Sequence, residues 1–157
     1  MLSNEKISSI LNSNLERLGI THDYLLYELF LSELLKVFYD YGYPFNRQAA
    51  KVKFIMNKKI IAEVDLLLED GDYLMPVEVK TSLSKKDVDW HLERLEKIRM
   101  HMDSRSDKRI LVGAVAGGVF EEGVIDYAHE NGLYVAIQSG DNVAIADTPQ
   151  SFRAREW

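Results

Sequence analysis

The chain has 157 residues, 46% of them apolar and 28% charged, with a formal net charge of −6 and a pI near 5.2. That is enough chain for one domain with its own core. The absence of cysteine excludes disulfides, thiolate zinc sites and cysteine nucleophiles, and fits a reducing, cytoplasmic setting.

No apolar run approaches the roughly 20 residues of a membrane span, so no membrane association is expected. Met1–Leu15 has neither the basic nor the long apolar region of a signal peptide. The acidic balance opposes non-specific nucleic-acid binding, which is driven by phosphate neutralisation. The charge is uneven, however. Arg47 to Lys59 contains Arg47, Lys51, Lys53, Lys58 and Lys59 and no acid. Such a strip suits either a nucleic-acid contact or a solvated edge hairpin guarded by lysine.

Residues 3–18 read as a short helix with Ile7, Ile10, Leu11 and Leu18 on one side, ended by Gly19. Thr21 is the expected N-cap of a longer helix to about Asp40, closed by Gly42. That helix is apolar nearly all round, from Leu25 to Phe38, so burial on more than one side is expected. Glu28 stands within the apolar run. A strand over Ala49–Met56 turns at Asn57-Lys58 into a second strand. The second and third strands then join at Asp70-Gly71, a strong hairpin signal between apolar runs.

Ser84 or Asp87 caps the next helix, which reaches about His101 with Val88, Leu92, Leu95, Ile98 and Met102 as its apolar stripe. Trp90, Arg94, Lys97 and His101 form a second stripe at helical spacing. A basic and aromatic stripe can follow a nucleic-acid backbone, although a solvated face is the commoner meaning. Ile110–Ala116 is continuously apolar, as expected of a strand buried on both faces, and Gly117-Gly118 breaks it. A helix over Glu121–Asn131, a strand at Tyr134–Gln138 and a short strand at Val143–Ala146 follow. Residues 148–157 form an irregular tail. The four histidines show no ligand spacing and are expected at the surface. The order predicts a single α/β domain over 1–157, with 1–20 as a helical extension and a mixed central sheet flanked by helices.

The charged residues of the second hairpin are the chemical signal. A two-residue turn at Asp70-Gly71 sets Leu68 opposite Tyr73 and Asp65 opposite Pro76. Glu63, Asp65, Glu78 and Lys80 then share one face, opposite an apolar face of Val64, Leu66, Leu68, Met75, Val77 and Val79. Carboxylates gathered between strands built for burial need a reason, because an unpaired buried charge costs roughly several kcal/mol. A hard divalent cation, Mg²⁺ or Mn²⁺, is one. Crowded carboxylates should raise at least one pKa, with Lys80 partly offsetting this. Pro76 inside the third strand predicts a bend or bulge just before Glu78.

Asp65, twelve residues, then Glu78-Val79-Lys80 resembles the D-(x)n-E-x-K signature of the PD-(D/E)xK nuclease superfamily, and in particular its small bacterial and archaeal PD-(D/E)xK-like families. The resemblance covers about residues 24–146 and implies a restriction-endonuclease-like αβββαβ core. It departs at Val64, where the signature has proline. The resemblance implies a metal-dependent nuclease that hydrolyses phosphodiester bonds, with DNA as the first expected polymer and a homodimer as one possible assembly. It carries the metal ligands over to Asp65 and Glu78, the catalytic lysine to Lys80 and the helix-borne glutamate to Glu28, with Glu63 able to substitute for the last. Lys51, Lys53, Lys58, Lys59, Trp90, Arg94 and Lys97 are the candidate nucleic-acid contacts.

Three other readings compete. One is a nuclease-fold module that no longer cuts and works by binding a protein or nucleic acid, which the acidic pI favours. Another is a nucleotide-binding domain, whose only support is Gly113 to Gly118; that stretch lacks both phosphate-loop endings. The last is a structural Glu78–Lys80 salt bridge, which would leave the remaining carboxylate unpartnered.

Overall fold

A computed structural model describes residues 3–17 and 22–157. The expected helix stop at Gly19 and cap at Thr21 lie outside the described residues. In chain order the elements are α1 (Asn4–Arg17), α2 (His22–Asp40), β1 (Arg47–Met56), β2 (Lys59–Glu69), β3 (Tyr73–Leu83), α3 (Lys85–Ser104), β4 (Ile110–Leu111), β5 (Ala114–Phe120), α4 (Val124–Glu130), β6 (Tyr134–Ser139) and β7 (Asn142–Ile145). The strands make one seven-stranded mixed sheet in the order β1-β2-β3-β5-β6-β7, with β4 also pairing β3. β1, β2 and β3 are antiparallel neighbours, while β3, β5 and β6 run parallel.

Each face of the sheet has its own core. Leu26, Phe30, Leu34 and Phe38 of α2 recur every fourth residue and bury against Leu66, Leu68, Met75, Val77, Ala114 and Ala136. On the opposite face, Val88, Leu95, Ile98 and Met102 of α3 bury with Val64, Leu67, Leu74 and Val115, joined by Val124 and Ala128 of α4. The start of α3 is a capping box: the Ser84 hydroxyl accepts from the Asp87 N–H, and the Asp87 carboxylate accepts from the Ser84 N–H. Ile7 and Ile10 of α1 are exposed.

The β2–β3 hairpin turns one residue later than Asp70-Gly71 suggests. Asp70 pairs with Tyr73 through its N–H, and its Oδ1 accepts from the N–H groups of Asp72 and Tyr73, both at 2.7 Å. This Asx turn puts Gly71 and Asp72 at the tip. Leu68 therefore faces Met75, and Leu66 faces Val77. The slip is two residues. An even slip leaves Leu66, Leu68, Met75 and Val77 together on the face expected for them. The facing of β2 changes across Asp65, however, and Val64, expected beside them, buries in the α3 core instead.

Pro76 acts elsewhere than expected. It pairs in register with Leu67, without a bulge in the β2–β3 ladder. The disturbance falls on its other side. Tyr73 and Leu74 pair with β4, and pairing resumes at Val77 with Ala114 of β5. Met75 and Pro76 lie beside the gap at Val112-Gly113, because proline has no N–H to continue a ladder. The apolar run at 110–116 is thus two strands rather than one. Gly117 and Gly118, expected to end the strand, lie inside β5, which continues to Phe120. A Cβ on Gly117 would come within 2.9 Å of the Lys80 carbonyl and 2.8 Å of Leu83 Cδ1, so the glycine permits close strand packing. The helix expected over 121–131 is the shorter α4, which follows Gly123 at φ 78.

The β1–β2 hairpin carries unusual backbone. Lys51 (φ 52), Asn57 (φ 50) and Lys58 (φ 66) all adopt left-handed conformations. Asparagine tolerates this; for a lysine it costs on the order of 1–3 kcal/mol.

Candidate functional site

The sheet forks at Asp65 and Glu78. β2 and β3 pair only from Leu66–Glu69 to Leu74–Val77. Beyond that, the rest of β2 pairs with β1 alone, and β3 from Glu78 to Leu83 pairs with β5 alone. Continuing the register would place Asp65 opposite Glu78. Instead the Asp65 carboxylate fills the opening. Its Oδ2 accepts the Val79 N–H at 2.9 Å, and its Oδ1 accepts from the Lys51 ammonium at 3.1 Å. The Tyr27 hydroxyl of α2 donates to the Asp65 carbonyl at 2.9 Å.

Both carboxylates stand at the crotch of this fork. The Glu78 side chain is only 9% exposed and forms an ion pair with the Arg94 guanidinium of α3. Burial first, and then the Asp65 charge, push the Glu78 carboxyl up to about 7 against the pull of Arg94. Burial also works to raise Asp65. The Val79 N–H, its hydrogen bond with Glu78 and Lys51 outweigh burial and hold it below the usual range. The two groups therefore behave as a linked pair, with Asp65 ionised and Glu78 holding a proton near neutrality.

The expected crowding is present, but Arg94 rather than Lys80 supplies the offset. Lys80 reaches the other way, pairing with Asp87 at 3.0 Å from a side chain 44% exposed, with the Trp90 ring 6.0 Å from its Nζ. Asp87 thus both caps α3 and positions Lys80. Burial would raise its carboxyl, but the Ser84 N–H and Lys80 hold it low.

A cleft of about 710 Å³ opens from the fork toward α2, lined among others by Tyr27, Glu28, Lys51, Asp65, Val79 and Lys80. Glu28 is exposed on its α2 wall and hydrogen-bonds Tyr24, whose hydroxyl it raises. Glu63 is exposed on β2, opposite Lys53. Asp65, Glu28 and Lys80 thus border one space, with Glu78 behind Asp65 and Glu63 outside it.

The candidate nucleic-acid contacts divide. Lys51 and Arg94 are tied to the two carboxylates, whereas Lys53, Lys58 and Lys59 are exposed on the β1–β2 hairpin, and Trp90 and Lys97 are exposed on α3. Tyr27 was not legible as a site residue, since an aromatic in an apolar helix is ordinarily core. Its ring also lies 4.5 Å from the Lys51 ammonium.

Two histidines expected at the surface are buried. His91 is fully enclosed, with Nε2 3.2 Å from the Pro76 carbonyl, and burial followed by the Arg94 charge drives its pKa down to about 4. His129 is also buried, against Phe152.

The donor set fits a divalent cation in chemistry. Asp65 and Glu78 offer hard oxygens from adjacent strands, and one carboxyl holds a proton that a cation would displace. Among the described residues, no three carboxylates or histidines converge to form a fuller ligand set. None of their helices is long and apolar enough to cross a membrane. Comparison with protein-family models, curated proteins and solved structures returned no match for this chain.

Proposed function

We propose that the protein is a metal-dependent nuclease that hydrolyses phosphodiester bonds, with DNA as the first candidate substrate. The observation that carries this reading is the linked Asp65–Glu78 pair at the fork, bordered by Lys80 on the cleft. Asp65 and Glu78 would hold Mg²⁺ or Mn²⁺, with Glu28 facing them across the cleft. The cation would acidify a water and neutralise charge on the pentavalent phosphorus.

The chain's own residues do the rest. Val79 and Lys51 fix the Asp65 carboxylate by hydrogen bonds to separate oxygens. Asp87 holds Lys80 at the cleft mouth. There its ammonium orients the attacking water and stabilises charge developing on the phosphoryl oxygens. The attacking water gives a proton to solvent and its oxygen bonds to phosphorus as the bond to the leaving sugar oxygen breaks, and that leaving oxygen takes up a proton from solvent. The deciding experiment is Mg²⁺- or Mn²⁺-dependent cleavage of plasmid, linear, branched and RNA substrates, with Asp65→Ala, Glu78→Ala and Lys80→Ala as controls. Wild-type cleavage lost in all three supports the reading. No cleavage of any substrate removes it.

A second reading has its own support. Lys51 and Arg94 already neutralise both carboxylates, and Lys80 is already paired with Asp87. A nuclease-fold module acting by binding alone would show nucleic-acid affinity without metal-dependent cleavage.

A further inference from the structure

We propose that the β1–β2 hairpin is an arm that grips the phosphate backbone of a polynucleotide through Lys53, Lys58 and Lys59 and carries it toward the cleft, an assignment that takes the identity of the polymer from the nuclease reading. Past the fork this hairpin has left β3, so its two faces meet different surroundings. Phe54, Ala62 and Val64 bury against α3. On the strand positions between them, Lys53 and Glu63 are cross-strand neighbours and both are exposed. Further out, Ile55 and Ile60 also pair across the strands, 54% and 56% exposed.

This open surface begins at Lys51, which lines the cleft, and ends at the Asn57-Lys58 turn. Beyond the Lys51–Asp65 pair and apart from Glu63, the charges on it are cationic, and Lys59, which pairs with Met56 on the Phe54 face, stands beside Lys58 at the tip. Lys53, Lys58 and Lys59 make no ion pair among the described residues. The alternative track along α3 is of mixed sign. Arg94 is turned in to Glu78, and exposed Glu93 and Glu96 neighbour Lys97. A run of lysines without acids answers a polyanion, and a net charge of −6 makes a confined basic arm the more necessary.

Backbone conformation gives an independent indication. A two-residue turn of this type, with positive φ at both tip residues, favours Asn-Gly, and Lys58 (φ 66) occupies the glycine position. The tip therefore keeps a charge where local stability asks for no side chain. Strain retained in this way points to function.

The test uses the full-length protein with EDTA present, titrated against a short fluorescent duplex DNA, its single strand, and vesicles of phosphatidylserine and phosphatidylcholine, over a range of salt. Replacing Lys53, Lys58 and Lys59 together by alanine should reduce the slope of log K against log salt by about 3. Lys58→Gly alone should reduce it by about 1 while raising Tm by about 2–4 °C, so that weaker binding cannot be blamed on a damaged fold.

An unchanged slope in both variants overturns the proposal. So does a slope that responds to Lys97→Ala instead, or wild-type binding to vesicles but to neither nucleic acid. Metal-dependent cleavage by a wild type whose binding ignores the arm lysines would remove the arm and leave the nuclease. Arm-dependent binding without cleavage would remove the nuclease and leave the arm.

Discussion

The two halves of the β2–β3 hairpin have the same strands and opposite physics. From Leu66–Glu69 to Leu74–Val77 the ladder is closed, and both faces are filled with apolar side chains from the two cores. From Asp65 and Glu78 onward the ladder is open, and ion pairs with Lys51, Arg94 and Asp87 take the place of cross-strand pairing. The closed half is optimised for burial, roughly 25 cal/mol for each Å² of apolar surface. The open half spends part of that stability on holding two interacting carboxylates at the fork. Stability and chemistry are thus assigned to adjacent segments of one hairpin, and each can be perturbed separately.

The largest expected contrast is between Leu66→Ala and Lys80→Ala. Leu66 is fully buried, so its truncation should cost about 2–5 kcal/mol in urea unfolding. Under the proposed chemistry, Lys80→Ala should cut turnover by about 10²-fold or more while changing stability by only about 1 kcal/mol, because the Lys80 side chain is 44% exposed and the buried Asp87 carboxylate keeps its hydrogen bonds from Ser84. A Lys80→Ala protein that unfolds easily and cleaves normally would reverse the assignment of the two halves.

Acid should separate two buried groups of opposite sign. Glu78 has a raised folded pKa, so its contribution is fully present below its unfolded value near 4.5 and is lost as pH rises through about 7. His91 has a depressed folded pKa, so its contribution is present above 6.5 and is lost as pH falls through about 4. In the wild type the two partly cancel between pH 4.5 and 6.5, where their windows overlap. Glu78→Gln should therefore make the protein more acid-sensitive over that window, and His91→Gln less so, by up to a few kcal/mol, as urea midpoints measured across the range would show. Parallel curves for all three proteins would mean that neither group is buried as described.

A smaller effect is expected at Arg94. Arg94→Gln takes a cation from Glu78, so Mn²⁺ binding followed by calorimetry should tighten by about fivefold, with a stability loss near 1 kcal/mol in metal-free buffer. Weaker Mn²⁺ binding in this variant would show that Arg94 supports the carboxylates rather than competing for them.

What could be read from residue order follows a physical division. Period-two alternation put Glu78 and Lys80 on one face of β3, where both pair with residues of α3, even though the turn was placed one residue early, because side-chain facing survives an even slip. The change of facing on β2 between Val64 and Leu66 carries no local signal. The capping box at Ser84 and Asp87 was also local, and so legible. The interruption at Val112-Gly113 was not, since its cause is a proline on the neighbouring strand. Nor was the partner of Glu78, because Arg94 reaches it only once α3 is laid across the sheet. The burial of His91 has the same origin: the ring beneath Pro76 is set by tertiary packing, not by its neighbours in sequence.

The fork has a consequence for how the molecule breathes. Hydrogen-bonded ladders open cooperatively, and a hairpin released from one neighbour has a natural boundary for local unfolding. The arm beyond Asp65 is tied to β3 at the fork by the Asp65 side-chain bond to the Val79 amide. In hydrogen exchange the amides of Leu66–Glu69 would then report the global free energy, while those from Val52 to Val64 would exchange as one earlier block. The boundary between the two would fall at a carboxylate, so whatever ligand occupies that carboxylate also sets how freely the arm detaches.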